Sequence, residues 1–330
     1  MIYVHVRRNT PLKEAEPMLN KNFGIEIEFT GLTRAKAAVI LAEHFEGNVL
    51  QEGRDYRVIA RDGREWKAVY DGSIRTQKKQ DGKIVTVNDS SYSVEIVSPI
   101  LSYQKDIDAL QELVRKLRKA GAFTNSSVGI HIHLNGEDHT PRTLRNFLNI
   151  IYARNDLLYE SLEIEPNRMR YCKKMDKRLV EQMNKKKPNT LRQIEDIWYE
   201  GYNETRSKHY HDSRYHFVNL HSFFHGVGTV ELRGFNGTLH AGKIRTYILL
   251  ALAINHQALT QKSASTKKPQ MCNPKFAMRT WLNRIGFIGE DFKNPRVHLV
   301  KHLEGSAAWR FEQAEAAETQ ELELDIALPF

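Results

Sequence analysis

The sequence predicts an α+β fold: a curved, mainly antiparallel sheet with helices on its outer face and a helical C-terminal extension. Three observations carry this prediction. Short segments between residues 24 and 235 alternate apolar and polar side chains, the signature of half-buried strands. Arg61-Asp62-Gly63 and Asp81-Gly82 are turn sequences that join antiparallel neighbours. Amphipathic helical stretches separate the strand pairs, so one face of a sheet can be covered by helices.

Along the chain, residues 1–22 read as a loosely ordered lead-in, 23–262 as one large unit and 263–330 as a helical extension. The Gly24 strand comes first. Thr33 caps a helix running to about Glu46, with Gly47 ending it. Strands over 56–60 and 64–70 flank the Asp62-Gly63 turn. A second hairpin turns at Asp81-Gly82 and leads towards a strand at Glu95, whose length Pro99 limits. Ser102 caps a helix with Ile107, Leu110, Val114 and Leu117 on one face, closed by Gly121. The strand containing His131 follows. Thr140-Pro141 opens a long helix carrying Leu144, Phe147, Ile151 and Leu158. A basic stretch and Pro188-Asn189-Thr190 read as a connection, before a helix with Leu191, Ile194 and Trp198. Residues 214–235 read as a hairpin through His225-Gly226-Val227-Gly228. Residues 241–261 form a strongly apolar helix, and further helices occupy roughly 274–316.

Composition excludes several classes. Cys172 and Cys272 are far apart and have no CxxC partner, so neither a zinc site nor a disulfide framework is indicated. A reducing compartment fits, and with no apolar leader in the first ten residues the reading is cytoplasmic. The longest apolar run, residues 248–254, is far short of a membrane span. No GxxxxGK[ST] and no GxGxxG occurs, so a P-loop or Rossmann site is unsupported. The formal charge of +9 is local: residues 168–187 hold nine basic side chains against Asp176 and Glu181. That concentration points to one anionic contact, a polyanion or a carrier, or to a lid over a substrate; a plainly solvated loop explains it equally.

Four strands carry the chemistry: Gly24-Ile25-Glu26-Ile27-Glu28-Phe29, Val94-Glu95-Ile96-Val97, Gly129-Ile130-His131-Ile132-His133-Leu134, and Thr229-Val230-Glu231-Leu232-Arg233. Strands alternate their side chains between faces, so Glu26 with Glu28, His131 with His133, and Glu231 with Arg233 share a face. Each pair alone has a plain reading: a solvated sheet face, structural histidines, a surface ion pair. Together they read as a carboxylate-rich metal site. Hard oxygen donors favour Mg²⁺ or Mn²⁺, and an arginine fork beside them matches phosphate oxygens.

The order Glu-x-Glu, Glu, Gly-x-His-x-His, Glu-x-Arg resembles the glutamine synthetase and glutamate–cysteine ligase superfamily. Within it the sequence is most similar to the putative amidoligase family of carboxylate–amine ligases. The resembling segments also include Asp71-Gly72-Ser73 and Arg214-Tyr-His-Phe-Val-Asn219, and the likeness spans about residues 22–260. The resemblance implies a glutamine synthetase-like catalytic domain over 23–262 that binds ATP with two or three Mg²⁺ ions. It implies Glu26, Glu28, Glu95, His131 and Glu231 as metal ligands, and Arg233 as the clamp on the transferred phosphate. His133 would lie near the nucleotide or substrate, Arg214 and Asn219 would hold phosphate or a substrate carboxylate, and Asp71 would orient or deprotonate the amine. The implied reaction joins a carboxylate to an amine through an acyl phosphate. Two other readings stay open: a phosphotransferase of the same fold, such as a guanidino kinase, and a nucleic-acid-binding or scaffold protein using residues 168–187. The second leaves the acidic strands unexplained, because carboxylates repel phosphates unless a cation intervenes. The oligomeric state is open.

Overall fold

A computed structural model describes residues 18–269 and 271–308. Most of the expected lead-in and the last part of the expected C-terminal extension lie outside the described residues. Alternation builds the central strand first. In β1 (Asn22–Phe29), Phe23, Ile25, Ile27 and Phe29 are buried in the core, while Glu26 and Glu28 point to the opposite face. β1 pairs antiparallel with β9 (Gly129–Asn135) on one side and β7 (Val94–Val97) on the other, with the short β8 (Leu101–Ser102) at its start. The sheet continues outwards to β11 (Thr229–Asn236) and β10 (Val218–Asn219) past β9. On the other side it runs through β4 (Glu65–Val69), β3 (Asp55–Ile59) and β2 (Asn48–Glu52), nine strands in all among the described residues. β5 (Gln77–Gln80) and β6 (Lys83–Thr86) form a separate two-stranded sheet. The architecture is a mixed one of helices and antiparallel sheet, as the turn sequences predict.

Helices cover the apolar face. α1 (Arg34–Phe45) packs on β3 and β4 and against α2 (Tyr103–Lys119). Among the later helices, α3 spans Pro141–Ser161, α4 Lys177–Lys186, α5 Leu191–Trp198, α6 His221–His225 and α7 Ala241–Thr260. α7 is apolar nearly all round because it is buried between β9, α2, α3 and a last helix pair, α8 (Pro274–Arg284) and α9 (Lys293–Val300). Trp281, Leu282, Phe287 and Leu299 from this last region join the same core as Ile25 and Ile132. No helix among the described residues is long and apolar enough to cross a membrane.

Four local expectations are corrected. Glu46, not Gly47, adopts the left-handed cap of α1, at φ 49°; Gly47 is required instead for closeness, since a Cβ there would stand 2.3 Å from the Ile59 carbonyl oxygen. β2 was missed because all five of its residues are exposed, which leaves no alternation to read. Residues 168–187 contain a helix, α4, rather than a plain connection. Asp176 caps it, and it buries Val180 and Met183 against α3. The 214–235 hairpin carries α6 inside its loop, with Val218 opposite Leu232 and Asn219 opposite Glu231.

Candidate active site

The strand register decides which side chains meet. Glu26 stands opposite His131 on β9, Glu28 opposite Glu95 on β7, and Glu231 opposite His133. All lie on the sheet face away from the helices that cover Ile25 and Ile132. Alternation puts Arg233 on this face with Glu231, and a bulge in β11 between Leu232 and Phe235 then returns Phe235 to the core, where it stacks on Tyr247. Gly234 makes room at the bulge, since a Cβ there would stand 2.0 Å from the Phe217 ring.

The donor atoms fall into two groups. One ligand atom each from Glu26, His131 and Glu231 lie within 4.8 Å of one another, and so do those of Glu28, Asp71 and Glu95. His131 sits between the groups. Its Nδ1 lies 2.7 Å from Glu26 Oε2, and its Nε2 lies 3.6 Å from Glu28 Oε1. Glu28, His131, Glu231 and Arg233 are buried. Asp71 reaches the second group from the loop after β4. Ser93 fixes it there: the Asp71 carbonyl accepts from Ser93 Oγ at 2.6 Å.

The groups differ in how their charge is held. In the first, Glu26 Oε1 lies 3.1 Å from His133 Nε2, Glu231 Oε2 accepts from Asn219 Nδ2 at 2.6 Å, and Glu231 Oε1 accepts from Arg233 Nη1. Burial alone would raise the Glu26 carboxyl, but His133 and the hydrogen bond from His131 outweigh it and hold it well below the usual range. Glu231 is likewise held down by Arg233 and His133 against the effect of burial. The same attraction, chiefly from Glu26, raises the His133 imidazole despite burial. In the second group, burial pushes Glu95 well up, and Glu26, Glu28 and Asp71 push it further. Burial also raises Glu28, opposed in part by His131 and Arg168.

Three of the expected site residues have partners within the protein, two of them at the site carboxylates and one away from them. Asn219 spends both ends of its amide inside the protein, donating to Glu231 while its Oδ1 accepts from His221 N at 2.8 Å. It therefore holds Glu231 with one of the two N–H groups of its amide. His133 is similarly engaged, with Nδ1 2.7 Å from Thr229 Oγ1 and Nε2 on Glu26. Arg214 has no hydrogen bond or ion pair to the carboxylates: its guanidinium lies over the Tyr210 ring at 5.3 Å, and its Nη1 is 3.4 Å from the His209 carbonyl oxygen.

Sequence reading missed Arg168. The sequence groups it with the basic stretch of 168–187, but it is 3% exposed and its charge acts on Glu28. Its Nη2 donates to the Arg233 carbonyl at 2.8 Å, and a Cβ on Gly129 would stand 2.0 Å from its Nη1. Gly129 is thus a close-approach glycine, and its own N–H donates to Glu28 Oε2 at 2.6 Å. The only sequence signal was that glycine, two residues before His131 on the same face. The rest of the basic stretch is partly neutralised at the surface, with Lys174 on Asp156 at 2.7 Å and Lys186 on Glu200 at 3.0 Å.

A protein-family model described as "putative amidoligase enzyme" matches residues 19–255. The chain belongs to that family. It is therefore an enzyme of ligase type, and its family implies substrates of the carboxylate and amine kind. All ten side chains proposed for the site lie inside the matched span, as do Arg168 and Gly129. No curated protein matches the sequence.

Proposed function

We propose that this amidoligase uses ATP to activate a carboxylate as an acyl phosphate and then transfers the acyl group to an amine. One observation carries the reading: two groups of three donor atoms, five of the six side chains carboxylates, on one sheet face beside a buried arginine. The donor chemistry fits hard divalent cations, because oxygen donors dominate and no thiolate is present. Glu26, His131 and Glu231 would hold one Mg²⁺ or Mn²⁺ ion, and Glu28, Asp71 and Glu95 a second. Bound there, the ions would supply positive charge to the ATP phosphates and offset the charge that grows on the transferred phosphoryl group. This gives Asp71 the part of a donor, in place of the amine base that the resemblance suggested.

The chain's own residues then divide the remaining work. Arg233 presents the rest of its guanidinium fork, beyond the N–H given to Glu231, to a phosphoryl oxygen. His133 and Asn219 hold Glu26 and Glu231 in their rotamers, and Arg168 holds the backbone of Arg233. The acid's oxygen attacks the γ-phosphorus and ADP leaves. The amine attacks the acyl carbon, phosphate leaves, and the amine proton passes to solvent or to a site carboxylate. An acyl phosphate hydrolyses if water reaches it, so the site must be closed during the reaction; the segment carrying α4 is our candidate for the closing element. The reading also takes the open antiparallel sheet, with donors on one face and helices on the other, as a glutamine synthetase-like catalytic fold.

The test is an ADP-release screen over paired acids and amines, with products read by mass spectrometry. ADP release that requires both partners, with a product lighter than their sum by one water, supports the reading. ATP turnover with no carbon–nitrogen product from any pair would sink it. Manganese binding followed by electron paramagnetic resonance gives a readout independent of turnover: two sites are expected, and loss of binding in Glu95→Gln should affect only one.

A further inference from the structure

Arg154 of α3 and Arg284 of α8 line a cavity of about 410 Å³ at the end of the molecule where α8 packs. Among the described residues no Asp or Glu lines it. Neither arginine makes an ion pair among the described residues, unlike Arg57, Arg64 and Arg206. The Arg154 guanidinium stacks over the Trp281 ring at 5.5 Å, and its Nε is buried without a hydrogen-bond partner. Burial, and then the charge of Arg284, push the Arg154 guanidinium below its ordinary value. Two like charges on one concave wall, one of them partly desolvated, repel each other and cost stability unless an anion sits between them. The remaining wall is apolar or neutral: Phe276, Ala277, Thr280 and the Trp281 face.

We propose that this cavity is a carboxylate-binding site separate from the candidate active site, taking an acid with an apolar or aromatic body. The guanidinium forks of Arg154 and Arg284 would hold the carboxylate, and Trp281 and Phe276 would cover the body. A free small acid is one source of such a group. The chain itself is another. Residues 309–330 contain six acidic side chains and one basic, and the chain leaves the described residues beside the cavity. There Arg279, one helix position from the cavity-lining Thr280, donates to the Ala307 carbonyl at 2.7 Å.

Cys272 makes the site testable. It lines the cavity and is exposed, whereas Cys172 is buried, so a maleimide reports on this one place. The full chain is labelled with and without benzoate, and with benzylamine as a cation of the same shape. Benzoate should slow labelling in a saturable way and quench Trp281, and benzylamine should do neither. Arg284→Gln, at an exposed position that leaves the core intact, should weaken benzoate protection about tenfold or more, the effect of losing a charge-assisted hydrogen bond. Arg154→Gln should do the same. Changing the six acidic residues of 309–330 to their amides separates the sources. Faster labelling and tighter benzoate binding in that variant identify the chain's own carboxylates as the occupant; no change identifies a free acid. Equal effects of benzoate and benzylamine, or full benzoate protection in Arg284→Gln, would overturn the proposal.

Discussion

Around Glu26 and Glu231 every carboxylate oxygen meets a donor, whereas around Glu28 and Glu95 the carboxylates mostly meet one another. The two groups share one sheet and one face. They differ in what the neighbouring strands supply. β9, β10 and β11 bring His131, His133, Asn219 and Arg233 to the first group. β7 and the loop after β4 bring only further acids, Glu95 and Asp71, to the second, which is relieved in part by His131, Arg168 and the Gly129 N–H. The first group is therefore preorganised by the protein, and its carboxylates are held ionised. The second is held under mutual repulsion that a divalent cation would relieve. On the proposed reading, the first position would keep its shape by itself and the second would depend on a bound cation.

Four experiments break or sharpen this contrast, and the first should have the largest effect. Glu28→Ala removes a donor from the strained group and the partner of the Gly129 N–H. ADP release should fall by roughly a hundredfold or more, with the far-ultraviolet circular dichroism unchanged. Normal turnover with Mg²⁺ would show that Glu28 holds no ion. Next, Arg233→Lys keeps the charge but loses the fork that serves Glu231 and, on the proposed reading, a phosphoryl oxygen. A drop of about ten- to a hundredfold in kcat is expected, and unchanged kinetics would remove the clamp from the mechanism.

The third experiment compares stabilities with chelator present. Glu95→Gln removes a charge its neighbours repel and should raise Tm by about 2 °C. Glu26→Gln removes a charge that two histidines stabilise, and should lower Tm by a similar or larger amount. Shifts of the same sign in differential scanning fluorimetry would erase the distinction between the groups.

The last prediction concerns a third histidine of the same segment, one in which burial outweighs the hydrogen bond to Asn255 and the charge of Asp138. His139 is buried at the start of α3, and burial lowers it from the ordinary 6.5 to about 4. It is neutral in the folded state, while the unfolded chain takes up a proton below pH 6.5. Its contribution is thus complete above pH 6.5 and is lost as pH falls from 6.5 towards 4, by about 3 kcal/mol over the whole window. His139→Gln should flatten urea midpoints between pH 6.5 and 4.5 relative to the unchanged protein. An identical slope in both would mean that another group governs acid stability.

Much of the fold was legible because several elements carry two signals at once. Thr33 caps α1 by accepting from Lys36 N, and Thr140 forms a capping box with Thr143 just before Pro141. Asp81 and Gly82 both take positive φ, as the β5–β6 turn demands. The elements that escaped notice carry one signal or none. β2 is exposed throughout, α4 hides its two apolar contacts among lysines, and α6 is shorter than two turns. In the site the faces were legible and the partners were not. Period two puts Glu26 and Glu28 together on one side of β1, but nothing local says that Asn219 turns its whole amide inwards or that Arg168 is buried.

The sequence by itself determined which side chains share a face, since alternation is a property of a single strand and needs no partner. It also determined the chemistry of that face, carboxylates and imidazoles with an arginine. Only the tertiary structure decided the grouping. Register between β1, β7 and β9 sets Glu26 against His131 and Glu28 against Glu95, and a bulge in β11 after Leu232 returns Phe235 to the core. Register is fixed by hydrogen bonds and packing between segments far apart in the chain, and those contacts alone separate the relaxed donor group from the strained one.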